Sequence, residues 1–277
     1  MDTAAATRFV ADSGREVPAV TADCMREIDR IATEETGPNL FQMMENAGRN
    51  LAELVLERLG SRWRAARIVV LAGGGGNGGG GICAARHLAN RGADVTVVLA
   101  EPQGLTPLTA WQHMTYGSTD GRSETRLAPE RQAVDLVVDA LIGYGLRHAP
   151  ESASRDLIRW ANESRATLVA LDVPSGLDAT TGATPGEAVC AQVTMTLALP
   201  KTGLRAPGVG ELELADLGMP ADTFRRAGVV YVPPFGNRFR IPLRSVRGPA
   251  SRPAAAVTHH PLSDRLPGIC SSAASPT

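Results

Sequence analysis

Lysine is almost absent from this chain. Of 28 basic residues, only Lys201 is a lysine, and the other 27 are arginine. Aromatic residues make up 4% of the sequence. The four cysteines, Cys24, Cys83, Cys190 and Cys270, are far apart and form no C-x-x-C pair. That spacing excludes a sequence-local zinc knuckle and a disulfide framework, and it fits a reducing, cytoplasmic setting. No apolar run reaches the ~18 residues needed to cross a bilayer. The start, Met1-Asp-Thr-Ala-Ala-Ala-Thr-Arg8, lacks a basic segment followed by a long apolar one, so it does not read as a secretory signal. The formal net charge is -1. Neither nucleic acid nor an acidic membrane is therefore an expected partner of the whole chain. The charge is uneven, however: residues 237–277 carry six arginines against one acid.

What is present is a glycine run. Eight of the nine residues from Gly73 to Gly81 are glycine, and the ninth is Asn77. An apolar run, Ile68–Ala72, precedes it, and a stretch with helical spacing, Gly80–Ala89, continues from it. Strand, glycine turn and helix together aim backbone N–H groups and a helix N-terminus at an anionic ligand. Lacking Cβ, such a turn is free to adopt φ > 0 and admit a phosphate closely. Nucleotide binding is the first expectation.

The 277 residues suit one large domain or two small ones, and 43% hydrophobic content can fill a core. Two amphipathic helices, starting near Thr21 and spanning Leu40–Leu59, are expected before the first strong strand. Further apolar runs follow at Val95–Ala100, Val134–Val138, Thr167–Leu171 and Val193–Leu199. Helical stretches lie between them at Leu105–Tyr116 and Ala153–Asn162. Continuous Val/Ile/Leu strands suit a parallel sheet covered on both faces. The expected architecture is a doubly wound, three-layer α/β domain over residues 17–235, with Glu211–Leu214 and Val229–Val232 as edge strands. Residues 1–16 read as a disordered lead-in. Residues 236–277 read as a disordered basic tail, being rich in Pro, Ser and Ala.

Ligands of open α/β sheets bind at the carboxyl ends of strands. There the sequence places Asn77, then Asp139 with Gly143 and Gly145, then Asp172-Val-Pro-Ser-Gly176, then Lys201. Asn77, Asp139 and Ser175 offer oxygen ligands suited to a hard cation. Asp172 is a candidate acid or base. His87 reads as a packed helix residue rather than a catalyst.

At these residues the chain resembles the YjeF N-terminal domain family. Leu71–Gly81, Asp139-Ala-Leu-Ile-Gly-Tyr-Gly145 and Asp172-Val-Pro-Ser-Gly-Leu-Asp178 carry the likeness. Thr181–Gly186, Leu199-Pro-Lys-Thr-Gly-Leu204, Met25-x3-Asp29 and Met44-Glu-Asn-Ala-Gly48 extend it over roughly residues 17–234. The resemblance implies a Rossmann-like α/β/α sandwich, often dimeric. It implies NAD(P)H-hydrate epimerase activity, the interconversion of the R and S forms of NADHX and NADPHX. One potassium ion per subunit is implied on Asn77, Asp139 and Ser175. Substrate loops are implied at Gly76, Asn77, Gly78, Gly79 and Gly80, and again at Gly143, Tyr144, Gly145, Leu146, Arg147, His148 and Ala149. Asp172 matches the substrate-binding and catalytic aspartate, with Lys201 in support. The companion dehydratase is expected as a separate protein of the same pathway.

One departure stands out. The family loop reads G-N-N-G-G-D-G, whereas this chain has Gly76 for the first Asn and Gly80 for the Asp. That favours, as an alternative, a weakened nucleotide-binding or scaffolding module of the same fold. A conventional NAD(P)-dependent dehydrogenase, with Glu101 on the ribose, is a third reading. The leading helices and the Asp-x-x-Ser-Gly turn oppose it.

Overall fold

The apolar runs do form the middle of a sheet, because each is long enough for one buried strand and separated from the next by a helix that can cover it. The computed structural model describes residues 7–126 and 133–247. Among these, the strands are β1 (Thr7–Ala11), β2 (Glu16–Val17), β3 (Arg67–Ala72), β4 (Asp94–Leu99), β5 (Arg122–Glu124), β6 (Leu136–Ala140), β7 (Thr167–Leu171), β8 (Val193–Leu197), β9 (Glu211–Ala215) and β10 (Arg240–Arg247). They form a single sheet in the order β2-β1-β10-β9-β8-β7-β6-β3-β4-β5. Every pairing from β5 to β9 is parallel. β9–β10, β10–β1 and β1–β2 are antiparallel.

The helices are α1 (Ala22–Ile31), α2 (Leu40–Leu59), α3 (Gly76–Ala89), α4 (Pro107–Tyr116), α5 (Ser152–Glu163) and α6 (Ala221–Arg226). Their starts are chemically marked. The Thr21 hydroxyl accepts from Cys24 N–H, Asn39 and Gln42 form a reciprocal capping box, and Thr106 caps α4 just before Pro107. Strand alternation divides the core. Val70, Ala72, Val97 and Val138 pack with Leu51, Leu54, Ile82 and Leu88 of α2 and α3. Val69, Leu71, Val98 and Val137 pack with Leu157, Ile158 and Ala161 of α5 on the other face. This is the expected three-layer arrangement.

β3 lies between β4 and β6, so the chain winds outward in one direction through β4 and β5 and in the other through β6 to β9. The carboxyl ends of β3 and β6 therefore flank the topological switch point, where open α/β sheets bind ligands.

Four expectations need correction. The lead-in is not wholly irregular: β1 pairs with β10 from Thr7↔Arg247 to Ala11↔Leu243, and β2 pairs with β1. The tail is likewise ordered as far as Arg247, because Ile241 and Leu243 alternate inward and are buried. Residues 1–6 and 248–277 of these two segments lie outside the described residues. Val229–Val232 forms no strand; Tyr231 instead packs its ring against Phe224, with centroids 4.0 Å apart. Finally, no glycine from Gly73 to Gly81 has a positive φ, and α3 already begins at Gly76. Those glycines serve close approach instead. A Cβ would lie 2.0 Å from the Leu141 carbonyl at Gly73, 1.8 Å from the Gly73 carbonyl at Gly78, and 2.4 Å from Ala140 Cβ at Gly81.

Candidate active site

Parallel strands end where their helices begin, so side chains just past β3, β6, β7 and β8 converge. They line a cleft of about 810 Å³ between the switch point and α1, α2 and α4. Gly76, Asn77, Gly80, Gly143, Tyr144, Gly145 and Asp172 all face it. Gly78 and Gly79 are buried beneath it. Leu146, Arg147, His148 and Ala149 continue the loop away from the cleft lining, and Glu101 is exposed outside it.

Asp172 follows β7 directly with φ +67, a left-handed conformation costly for a residue with a side chain. Its environment holds it there. The Asp172 N–H donates to Met195 O at 2.7 Å. Its carboxylate is buried and paired with Lys201 Nζ. Tyr144 N–H donates to the other carboxylate oxygen at 3.1 Å, while Leu197 N–H at 3.4 Å and the Thr196 hydroxyl at 3.5 Å approach the first. The chain's single lysine is thus fully buried, its ammonium donating also to Leu197 O at 2.9 Å. Buried charges persist when paired and hydrogen-bonded, as these are.

Asp139 lies within β6 rather than after it, and is wholly buried. The Ser175 hydroxyl donates to its Oδ1 at 2.5 Å and the Ser175 N–H to its Oδ2 at 2.8 Å. Burial pushes its carboxyl up to about 6. Among the described residues no cationic side chain pairs with it. Asn77 does not bond to this pair. In the amide orientation that satisfies both ends of the side chain, it donates to Leu171 O at 3.2 Å and accepts from Gly143 N–H at 3.3 Å. Ile142 N–H, one residue earlier, donates to the Ser175 hydroxyl at 2.8 Å. Successive amides of one turn therefore hold Asn77 and Ser175. A Cβ at Gly143 would lie 3.1 Å from both the Asn77 amide carbon and an Asp172 oxygen, so any larger residue there would press on both side chains.

Asp29, which the sequence marks only as part of the Met25-x3-Asp29 motif, belongs to the site as well. It sits on α1, and its carboxylate accepts from the Tyr144 hydroxyl at 2.5 Å. The signal was available: Asp29 is four residues after the buried Met25 and so shares the inward face of the helix. Thr196, which carries no motif signal, also contributes, accepting from Lys201 Nζ at 3.4 Å. His87 packs on α3, its ring 2.8 Å from Glu45 on α2 and outside the cleft lining.

Comparison with known proteins decides the family. The model for the YjeF-related protein N-terminus matches residues 40–203. The chain belongs to this family. It is 51% identical to an NAD(P)H-hydrate epimerase of Dehalogenimonas lykanthroporepellens, over 81% of this chain and 91% of that one. It is 41% identical to a bifunctional NAD(P)H-hydrate repair enzyme of Hyperthermus butylicus, over 77% of this chain but only 40% of that longer protein. The crystal structure of a yeast protein superposes with a TM-score of 0.70 at 22% identity, covering 82% of this chain and all of that one. That likeness shows the fold. Among the described residues, no helix is long and apolar enough to cross a membrane.

Proposed function

We propose that this chain is an NAD(P)H-hydrate epimerase that interconverts the R and S forms of NADHX and NADPHX. The observation that carries the reading is the strained, buried Asp172, ion-paired to Lys201 at the floor of a nucleotide-sized cleft. Structural strain of this kind is retained where function requires it. The 51% identity to an epimerase of nearly the same length supports the reaction class.

Epimerisation at the hydrated C6 carbon requires a bond there to break and re-form on the other face. Asp172 moves the proton of the oxygen that leaves or joins that carbon, and Lys201 holds its carboxylate in place. The first turn of α3 presents N–H groups and a positive helix end to the substrate's phosphates. Met43, Met44 and Leu108 give the cleft an apolar wall that limits water around the ring.

Asn77, Asp139 and Ser175 would hold the potassium ion. Their oxygens are hard donors, and a buried carboxylate lacking a cationic partner fits a monovalent cation. The ion would supply positive charge beside the substrate. We also assign the protein to a cytoplasmic repair step, as a homodimer, with a dehydratase acting in the same pathway. The bifunctional names of longer relatives support that pairing.

The test is conversion of separated R and S hydrates, followed chromatographically with and without potassium. Relaxation of either pure epimer to the equilibrium mixture well above the buffer rate supports the reading. No acceleration in either buffer overturns it and favours a scaffolding module, which Gly76 and Gly80 already suggest.

A further inference from the structure

Asp172 is one proton-handling group, yet inversion at a hydroxyl-bearing carbon engages two faces. The hydroxyl departs from one face, and water arrives on the other. A second acid–base group facing the same cleft is the economical solution. The carboxylate missing at Gly80 leaves that place open on α3, and the candidates stand on the other walls of the cleft.

We propose that Asp29 on α1, held by the Tyr144 hydroxyl, is the second proton-transfer group of this cleft, working on the face opposite Asp172. This rests on the epimerase reading above. Three observations carry it. Asp29 and Tyr144 both line the cleft, on different elements from Asp172 and Lys201. The Tyr144 hydroxyl donates to Asp29 Oδ2 at 2.5 Å, while Tyr144 N–H donates to Asp172 Oδ2 at 3.1 Å. A single tyrosine therefore spans the two carboxyl groups and sets their separation. Among the described residues, Asp29 Oδ1 takes no protein hydrogen bond, whereas both Asp172 oxygens are engaged. Asp29 is thus the carboxyl group with a free oxygen to offer.

The electrostatics agree with the geometry. Burial raises the Asp29 carboxyl above its ordinary value, opposed by the Tyr144 hydrogen bond and by the charge of Lys201, and reinforced by Asp172. Arg26, also on α1, is the remaining charged group on this wall, and it pairs outward with Asp23. Two carboxyl groups in unlike surroundings, one beside an ammonium and one without, are the usual arrangement for an acid and a base in a single site.

The step balances. Protonated Asp29 gives its proton to the C6 hydroxyl as the C6–O bond breaks. Both bonding electrons leave with oxygen as water, and the N1 lone pair forms a double bond to C6. A water then adds to C6 from the opposite face, the N1–C6 π pair returns to N1, and ionised Asp172 takes the proton. One water leaves and one enters, and nothing is oxidised or reduced. For the other epimer the two roles exchange.

The experiment measures kcat, KM and the pH–rate profile in both directions for the full chain, for Asp29→Asn and for Tyr144→Phe. Asparagine preserves the shape and the Tyr144 hydrogen bond, so a merely structural role would leave turnover intact. The expected result for Asp29→Asn is a ~100-fold loss in kcat, with KM moved much less. The alkaline limb also vanishes for the epimer whose hydroxyl faces Asp29. Tyr144→Phe removes the hydrogen bond that lowers the Asp29 carboxyl, so that limb moves to higher pH. Wild-type turnover and an unchanged profile in Asp29→Asn, with the unvaried chain active, would overturn this proposal while leaving the epimerase reading standing. An inactive unvaried chain would overturn both.

Discussion

Ending the chain at Asn237 removes β10, and the structure says what that costs. Ile241 is fully buried and Leu243 nearly so, both packing into the cluster that contains Phe9, Val17, Leu212 and Leu214. Withdrawing two such side chains forfeits about 3–6 kcal/mol at roughly 1.5–3 kcal/mol each. β1 then loses its ladder partner across five residue pairs, exposing Phe9 and Ala11, and β9 becomes a bare edge. Even the lower figure is a large share of the ~5–15 kcal/mol that holds a domain folded. At ~2–4 °C per kcal/mol for a chain of this size, melting should fall by roughly 6–24 °C. The assay is thermal unfolding followed by circular dichroism, comparing chains ending at Asn237 and at Arg247 with the full length. The chain ending at Arg247 should melt close to the full chain, since it keeps every residue of β10. A chain ending at Asn237 that melts within about 2 °C of full length would refute the reasoning about terminal strand pairing.

Three further outcomes follow from the site. Lys201→Met keeps the length of the side chain but leaves Asp172 buried without its cation; a destabilisation of about 3–5 kcal/mol is expected, read as a fall in the urea midpoint. In Gly76→Asn/Gly80→Asp, position 76 has open space and position 80 meets only the Leu171 Cδ2 methyl at 2.9 Å, both at negative φ. The new side chains should tighten substrate binding roughly fivefold per recovered hydrogen bond, and no gain over an inactive natural chain would favour the scaffolding module. Asp139, pushed up to about 6 by burial, binds its proton more tightly folded than unfolded. Its contribution is therefore fully present below about 4, the unfolded value, and is lost as pH rises through about 6. In potassium-free buffer, stability should decline over that window; in potassium the decline should shrink, and identical melting curves in both would contradict a cation at Asp139.

Much of this site could be read from the sequence because it sits at strand ends. Asp172 directly follows its apolar run, Asp139 stands at the end of its own, and Asn77 and Lys201 come within a few residues of theirs; parallel topology brings such ends together without any knowledge of packing. The reasons for the glycines were less legible. Composition suggested backbone freedom at φ > 0, whereas the contacts at Gly73, Gly78 and Gly81 show that space is the constraint. The outer strands were hidden for another reason. Phe9 and Ser245 are neighbours across the sheet, yet they stand at opposite ends of the chain. β10 reads Arg-Ile-Pro-Leu-Arg-Ser-Val-Arg, whose arginines and proline mask the inward alternation of Ile241 and Leu243. The helical spacing from Met25 puts Asp29 on the inward face, but its partner Tyr144 lies 115 residues away, so the pairing itself was not legible.

Asp172, as proposed above, drives epimerisation in this cleft. The most direct measurement is the relaxation rate of a single purified hydrate epimer in the presence of the natural chain and of Asp172→Asn, each confirmed folded by its melting curve. The account predicts rapid relaxation with the natural chain and a loss of ~100-fold or more in the variant. Equal rates in the two proteins would contradict it.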